Sequence, residues 1–250
     1  MSAKPEMLHP GAIALVTGAS SGLGLDLAKA LLARGLKVIC CARRREPLEA
    51  AFADQPNALI HPLDVTDGPA VAGLIAGLPE AWREVDILVA NAGSDLGGRQ
   101  RFDQGSIEDW AGTIETNVVG VQRICHAVIP GMLARGAGHV IILGSIAGLK
   151  IATDNSAYTT SKHAIHAFAD LLRADYKHEA LRVTEILPGV VRTGFATARR
   201  RGDQAAGSAF YDSKPDVLVP ADITRATLFA LEQPPGVNIA QIVVTPTLDK

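Results

Sequence analysis

The chain has 250 residues, 48% hydrophobic and 20% charged, which is enough apolar material for one full core and too much for a disordered segment. Its 24 basic and 26 acidic residues leave a formal charge of −2, which speaks against a broad electrostatic surface for nucleic acid or anionic lipid. Three cysteines, with Cys40 and Cys41 adjacent and Cys125 alone, speak against a disulfide framework and suit a reducing cytoplasm.

Residues 1–10 are polar and proline-containing, and the first apolar run is far too short for a signal or a membrane span, so they read as a loose tail. Short apolar runs then recur at 12–17, 37–42, 58–62, 87–90, 139–144, 182–187 and 239–245, with helix-length amphipathic segments between them. This alternation predicts an α/β fold: one Rossmann-type, doubly wound parallel sheet of about seven strands with helices on both faces, spanning residues 1–250 as a single domain. The runs are continuously apolar, as strands buried on both faces should be. The longest helical patterns cover about 107–135 and 156–178, the first followed by the stop residues Gly136 and Gly138 and expected to kink or cap near Pro130. Residues 195–220 lack clear apolar order, and their place late in the chain suits a substrate lid.

Directly after the first run comes Thr17-Gly18-Ala19-Ser20-Ser21-Gly22-Leu23-Gly24, followed by Leu25, Leu27, Leu31 and Leu32 at helical spacing. A strand, a glycine-rich turn and a helix start form a dinucleotide-binding unit, in which the helix end offers unpaired N–H groups to a pyrophosphate. A turn that merely reverses the chain is the competing reading, made weaker by both flanks having the required context.

Further along, Tyr158-Thr159-Thr160-Ser161-Lys162 puts a phenol and an amine one helical turn apart on one face. Alone, that spacing also fits a solvated helix surface. Carbonyl reduction needs a proton donor where charge develops on oxygen, and a phenol of ordinary pKa, about 10, needs a neighbouring ammonium before it exchanges protons near neutrality. Lys162 can supply that charge. Ser145 ends a strand-like run and Asn117 lies within the long helical pattern before it, although ending a strand or capping a kink would explain each separately. Ala90-Asn91-Ala92-Gly93 follows the fourth run, and Pro188-Gly189-Val190-Val191-Arg192-Thr193 closes the sixth.

Taken in this order and at these separations, the T-G-x-x-x-G-x-G turn, N-A-G, Asn117, Ser145, Y-x-x-x-K and P-G-x-x-x-T resemble the short-chain dehydrogenase/reductase family over nearly the whole chain. The resemblance implies that Tyr158 is the acid in reduction and the base in oxidation. It further implies that Lys162 bonds the nicotinamide ribose, Ser145 polarises the substrate oxygen, and Asn117 holds a water linking Lys162 to solvent. Gly18, Ser20, Ser21, Gly22, Leu23 and Gly24 would cradle the cofactor phosphates. Asn91, Ala92 and Gly93 would line its groove, Asp64 and Val65 would meet the adenine, and Pro188, Gly189, Val191 and Thr193 would wrap the nicotinamide. One departure is Ala90, where the family often has a second asparagine. Surface turns at Asp64 and at Pro188-Gly189 remain competing readings.

In such folds an acidic residue at the end of the second strand bonds the ribose 2′-hydroxyl and repels a 2′-phosphate. This chain reads Cys40-Cys41-Ala42-Arg43-Arg44-Arg45 there, so NADP is the expected cofactor, with Arg43 and Arg44 on its phosphate. A solvated charge run is the alternative.

His163 and His166 lack partners at ligand spacing, so no metal site is expected, and the remaining histidines are scattered. Arg199-Arg200-Arg201, Lys150 and Arg192 could attract an acidic substrate, with solvated surface the favoured reading for each. Phe195, Phe210 and Tyr211 suit either a lid or packing. The ending, from Val237-Asn238-Ile239 to Pro246, resembles the subgroup containing NADP-dependent 3-hydroxy acid and serine dehydrogenases. A small carbonyl or secondary alcohol, first a 3-hydroxy acid, is therefore the expected substrate, with a bulkier aromatic ketone as alternative. A non-catalytic regulatory protein and a nucleotide-sugar epimerase or dehydratase are rivals from other classes. The resemblance also implies a homotetramer or homodimer paired through the two long helices, and no membrane or nucleic-acid partner is expected.

Overall fold

The computed structural model describes residues 7–248 of the chain. In chain order its elements are β1 (Ile13–Thr17), α1 (Gly22–Leu32), β2 (Lys37–Ala42), α2 (Arg45–Phe52), β3 (Ala58–Pro62), α3 (Gly68–Ala72) and α4 (Leu74–Gly77), then β4 (Ile87–Ala90), α5 (Ile107–Ile114) and α6 (Gly120–Arg135). They continue with β5 (Gly138–Leu143), α7 (Ser156–Asp175), β6 (Leu181–Pro188), α8 (Phe195–Arg199), α9 (Gln204–Asp212), α10 (Pro220–Leu231) and β7 (Gln241–Val244). The strands form one sheet in the order β3-β2-β1-β4-β5-β6-β7, every pair parallel.

Alternating residues along each strand enter opposite layers, because side chains on a strand have a period of two. Ile13, Leu15, Ile39, Leu88, Val140 and Ile142 join Val121, Ile124, Val128, Met132, Ile165 and Leu172 on one face. Ala14, Val16, Val38, Val89 and Ile141 join Leu27, Leu31, Leu48, Phe52, Ile223 and Leu228 on the other. Apolar side chains on both faces explain why the runs carry no polar alternation.

The observed strands match the expected runs to within a residue or two, the scatter usual at element ends. Several finer expectations need correction. Met7 is buried and Leu8 packs beside it, while the carbonyl of His9 accepts from Ala12 N–H. Residues 7–10 of the expected tail are thus anchored; residues 1–6 lie outside the described residues. Pro130 lies inside α6, which runs on to Arg135 and stops at left-handed Gly136, whose φ is 64°. Gly138 is no stop residue but the first of β5, where a Cβ would meet Met132 at 2.6 Å. The pattern over 107–135 is broken by a π turn at Glu115–Val119, and residues 195–220 contain two short helices, α8 and α9. Helices of five and nine residues are too short to display a clear period in sequence.

Candidate active site

The strand order reverses between β1 and β4, and their carboxyl ends open a crevice there. After β1 the chain turns through Gly18 and Gly22, at φ 68° and 54°, a left-handed backbone that glycine adopts without strain. A Cβ on Gly24 would sit 2.4 Å from both the Gly18 carbonyl and Asn91 Nδ2, so this close crossing requires glycine. Ser21 precedes α1 without a side-chain cap, and the first turn holds no acid, leaving the helix's free N–H groups and positive end facing the crevice mouth. Ser20 is half-buried and Ser21 exposed in that turn, with Leu23 half-buried behind them.

Asn91 Nδ2 donates to the Thr17 carbonyl at 2.8 Å, while the N–H groups of Asn91 and Ala92 donate to Thr17 Oγ1 at 3.0 Å each. The two strand ends are thereby clamped, and Gly93 passes beside Asn117. A Cβ on Gly22 would lie 3.4 Å from Thr193, so the loop after β6, with Pro188, Gly189 and Val191, closes against the glycine turn. Asp64 Oδ1 accepts from Thr66 N–H and Oγ1 within its own turn, and Val65 is buried against Gly120. At the end of β2, Ala42 is buried and Arg43 and Arg44 are exposed, whereas Arg45 pairs with Glu49 at 3.4 Å. A glycine cradle, a bare helix end and two guanidiniums without an ion-pair partner among the described residues, beside a missing acid, fit a dinucleotide carrying an extra phosphate.

Tyr158 and Lys162 share one face of α7, with the ammonium 5.7 Å from the phenol ring centroid. Lys162 is buried and donates to the Leu143 carbonyl at 2.8 Å. Ser145 follows β5, its Oγ accepting from Ala147 N–H at 3.1 Å. A Cβ on Gly148 would lie 2.7 Å from the Lys162 carbonyl, so glycine lets the segment carrying Ser145 press against α7. Asn117, in the π turn, donates to the Ser94 carbonyl at 2.8 Å and to Ser161 Oγ at 3.0 Å, and accepts from Ser94 N–H at 2.7 Å. Ser161 in turn donates to the Tyr158 carbonyl at 2.7 Å. The side chain of Asn117 thus braces the loop after β4 against α7 between Tyr158 and Lys162.

Burial pushes the Tyr158 phenol above its ordinary value, with the Ser145 hydroxyl and the Arg199 guanidinium acting the other way. The expected acidification by Lys162 is therefore not the dominant influence in this state. Burial also lowers Lys162 to about 8, with the nearby Glu185 carboxylate opposing the fall.

Two charged pairs escaped sequence reasoning. Glu185 on β6 is fully buried and its Oε2 lies 2.7 Å from Nδ1 of His166, one turn past Lys162. His166 therefore has a carboxylate partner after all, one that sequence spacing could not reveal. The only signal was an acid inside an apolar strand. Arg199 and Asp95 form a buried ion pair at 2.5 Å, which corrects the expectation that Arg199 lies in solvent. Arg201 is exposed and pairs with Asp109, Arg192 pairs with Asp212 at the surface, and Lys150 is exposed. Phe195 rests on Tyr158 with ring centroids 5.7 Å apart, while Tyr211 is buried and donates to the Thr193 carbonyl.

A profile of the short chain dehydrogenase family matches residues 12–204. The chain is 38% identical over 236 residues to the NADP-dependent 3-hydroxy acid dehydrogenase YdfG of Salmonella typhi, covering 94% of each. It is 37% identical over 240 residues to sulfoacetaldehyde reductase 2 of Chromohalobacter salexigens, again covering 94% of each. Among solved structures, the closed form of serine dehydrogenase complexed with NADP+ superposes with a TM-score of 0.92 at 35% identity, covering 95% of this chain and 96% of that one.

Proposed function

The chain belongs to the short chain dehydrogenase family, and on that basis we propose that it is an NADP-dependent oxidoreductase acting on a small carbonyl or secondary alcohol, a 3-hydroxy acid foremost. The NADP dependence and the hydroxy acid follow the likeness to the Salmonella typhi enzyme, and the bound NADP+ of the serine dehydrogenase structure agrees. When bound, the cofactor supplies or accepts the hydride. The protein's part is to bind, to orient and to move a proton.

Gly18, Ser20, Ser21, Gly22, Leu23 and Gly24 would hold the phosphates, Arg43 and Arg44 the 2′-phosphate, and Asp64 and Val65 the adenine. Asn91, Ala92 and Gly93 would line the groove, with Pro188, Gly189, Val191 and Thr193 at the nicotinamide. Ser145 Oγ would hold the substrate oxygen while Tyr158 Oη gives up or takes its proton. Lys162 would bond the ribose and stabilise the phenolate, and Asn117 would keep the connection from Lys162 to water. Most directly in support, Tyr158 and Lys162 stand on one face of α7 beside Ser145, at the end of the sheet where the bare start of α1 lies. Residues 195–220 would serve as the lid, since Phe195 covers Tyr158.

An NADPH-oxidation screen over keto acids, aldehydes and aryl ketones tests this reading, with the strongest turnover expected on a 3-oxo acid. Tyr158→Phe is expected to lower kcat by roughly 10²- to 10⁴-fold, the usual worth of a positioned proton donor, with NADPH affinity little changed. No turnover on any carbonyl by protein that still binds NADPH would remove it.

Self-assembly into a homotetramer or homodimer fits an open β7 edge with Val243 exposed and Phe229 exposed on α10. Light scattering on the purified protein reads the oligomer directly. A cytoplasmic location is in keeping with three buried free cysteines, of which Cys40 and Cys125 are pushed up to about 12 by burial. Among the described residues no helix is long and apolar enough to cross a membrane.

A further inference from the structure

Arg199 is 7% exposed, yet among the described residues its only ion pair is to Asp95 at 2.5 Å, and even that contact lacks hydrogen-bond alignment at Nε. It is Nε that faces Asp95, and neither terminal nitrogen of the guanidinium makes a hydrogen bond among the described residues, so the fork end, with four of its five donors, is open to a ligand. Its carbon lies 5.9 Å from the ring centroid of Tyr158, 5.5 Å from that of Phe195 and 5.7 Å from that of Phe210. The cation therefore stands among aromatic walls on the approach to the reacting phenol.

The surroundings add positive charge rather than cancel it. Arg99, Arg200 and Lys214 lie 5.8, 5.4 and 5.6 Å from the Phe210 centroid, and none of the three has an ion-pair partner among the described residues. Burial and the neighbouring charges of Arg199 and Arg200 lower Arg99 against the opposing pull of Asp95 and Asp154, so the cations here outweigh the acids beside them. An ion pair that only fastened α8 to the loop after β4 would need neither a free fork end nor the extra cations. One acid, Asp95, orients Arg199; the remaining charge favours an incoming anion.

We propose that Arg199, oriented by Asp95, is the specificity-determining residue that binds the carboxylate or sulfonate of the substrate while Tyr158 faces its carbonyl. This rests on the carbonyl reduction proposed above and extends it by assigning the charge preference to one side chain. Arg99, Arg200 and Lys214 draw the anion in but do not hold it. The guanidinium lies 5.9 Å from the phenol ring centroid, so an anion and a carbonyl that meet both groups belong to one small molecule.

The test compares a 3-oxo carboxylate with its methyl ester by steady-state NADPH oxidation, in the wild type, Arg199→Gln and Arg199→Lys, with an NADPH-induced thermal shift recorded for each protein. The wild type is expected to favour the acid. Arg199→Gln is expected to lose roughly 10- to 100-fold more in kcat/KM on the acid than on the ester, the range for a charged hydrogen bond, since any effect on the Tyr158 phenol falls on both alike, with the thermal shift retained. Arg199→Lys should recover part of the loss. Equal losses on acid and ester, no loss on either, or a wild type that prefers the ester would overturn the assignment. Should Arg199→Gln fail to bind NADPH, the acid-to-ester ratio of Arg199→Lys and of the wild type decides the matter. A wild type that binds NADPH and reduces neither compound sinks the underlying carbonyl-reduction reading instead.

Discussion

Individual side chains divide into those whose role is written in their neighbours along the chain and those whose role depends on a distant partner. Arg43 belongs to the first kind: it follows Ala42, which stands where the family's acid would, and it remains exposed just past the end of β2. Arg43→Ala is expected to raise KM for NADPH roughly 10-fold or more while leaving NADH nearly unaffected, by loss of a charged hydrogen bond; parallel kinetics with the two cofactors measure it. Glu185 belongs to the second kind. Its carboxylate opposes the burial that brings Lys162 to about 8, so Glu185→Gln removes a stabiliser of the ammonium. The lysine then loses its proton at lower pH, and the alkaline limb of the kcat/KM profile for NADPH should move down from about 8. An unmoved limb with normal folding would show that Glu185 does not act on Lys162. The three cysteines illustrate the converse, since each is free and buried, with its thiol pushed up by burial.

At the level of elements, the useful departures from regularity sit at the site. Between α5 and α6 the helix widens into a π turn, and Asn117 uses it to reach both Ser94 and Ser161. Widening by one residue per turn at a functional position is a recurrent use of such bulges. Asn117→Ala removes three hydrogen bonds from a residue only 1% exposed and leaves the Ser94 backbone unpaired, so a loss of about 2–4 kcal/mol is expected in urea unfolding. Activity should fall with it, and a variant of unchanged stability would show that the brace is dispensable. The apolar period identified this segment as helical, but a period cannot register a single extra residue in the backbone ladder. Pro130, expected to kink or cap this pattern, does not end it: α6 continues to Arg135 because its packing against the sheet outweighs the local defect.

For the molecule as a whole, the parallel order β3-β2-β1-β4-β5-β6-β7 decides where everything meets, because the reversal beside β1 sets the glycine turn next to Asn91 and the end of β5 next to α7. A ligand held across that crevice binds only the folded chain and so stabilises it. NADP+ at about 100 times its Kd should add about 2.7 kcal/mol, which for a chain of this length raises Tm by roughly 5–10 °C. NAD+ at the same concentration should add far less; equal shifts in differential scanning calorimetry would argue against the 2′-phosphate contacts. Acid acts on the fold differently. His139 is fully buried beside Thr184 Oγ1 and its pKa is held well below 6.5 by burial and by Arg182, so unfolding takes up a proton there that the native state refuses. Its contribution favours the folded state above pH 6.5 and is lost as pH falls below that value.

Strand succession, the glycine-rich turn after β1, the missing acid at the end of β2 and the one-turn spacing of Tyr158 and Lys162 were all legible in residues close together in sequence, because periodicity, glycine turns and helical spacing are local properties. The ion pair of Arg199 with Asp95, the Glu185–His166 contact beside Lys162 and the partners of Asn117 came only from the folded chain. Each depends on segments far apart in sequence being packed until a charge or an amide is shut away from water, and it is that exclusion, rather than any local pattern, that selects its partner.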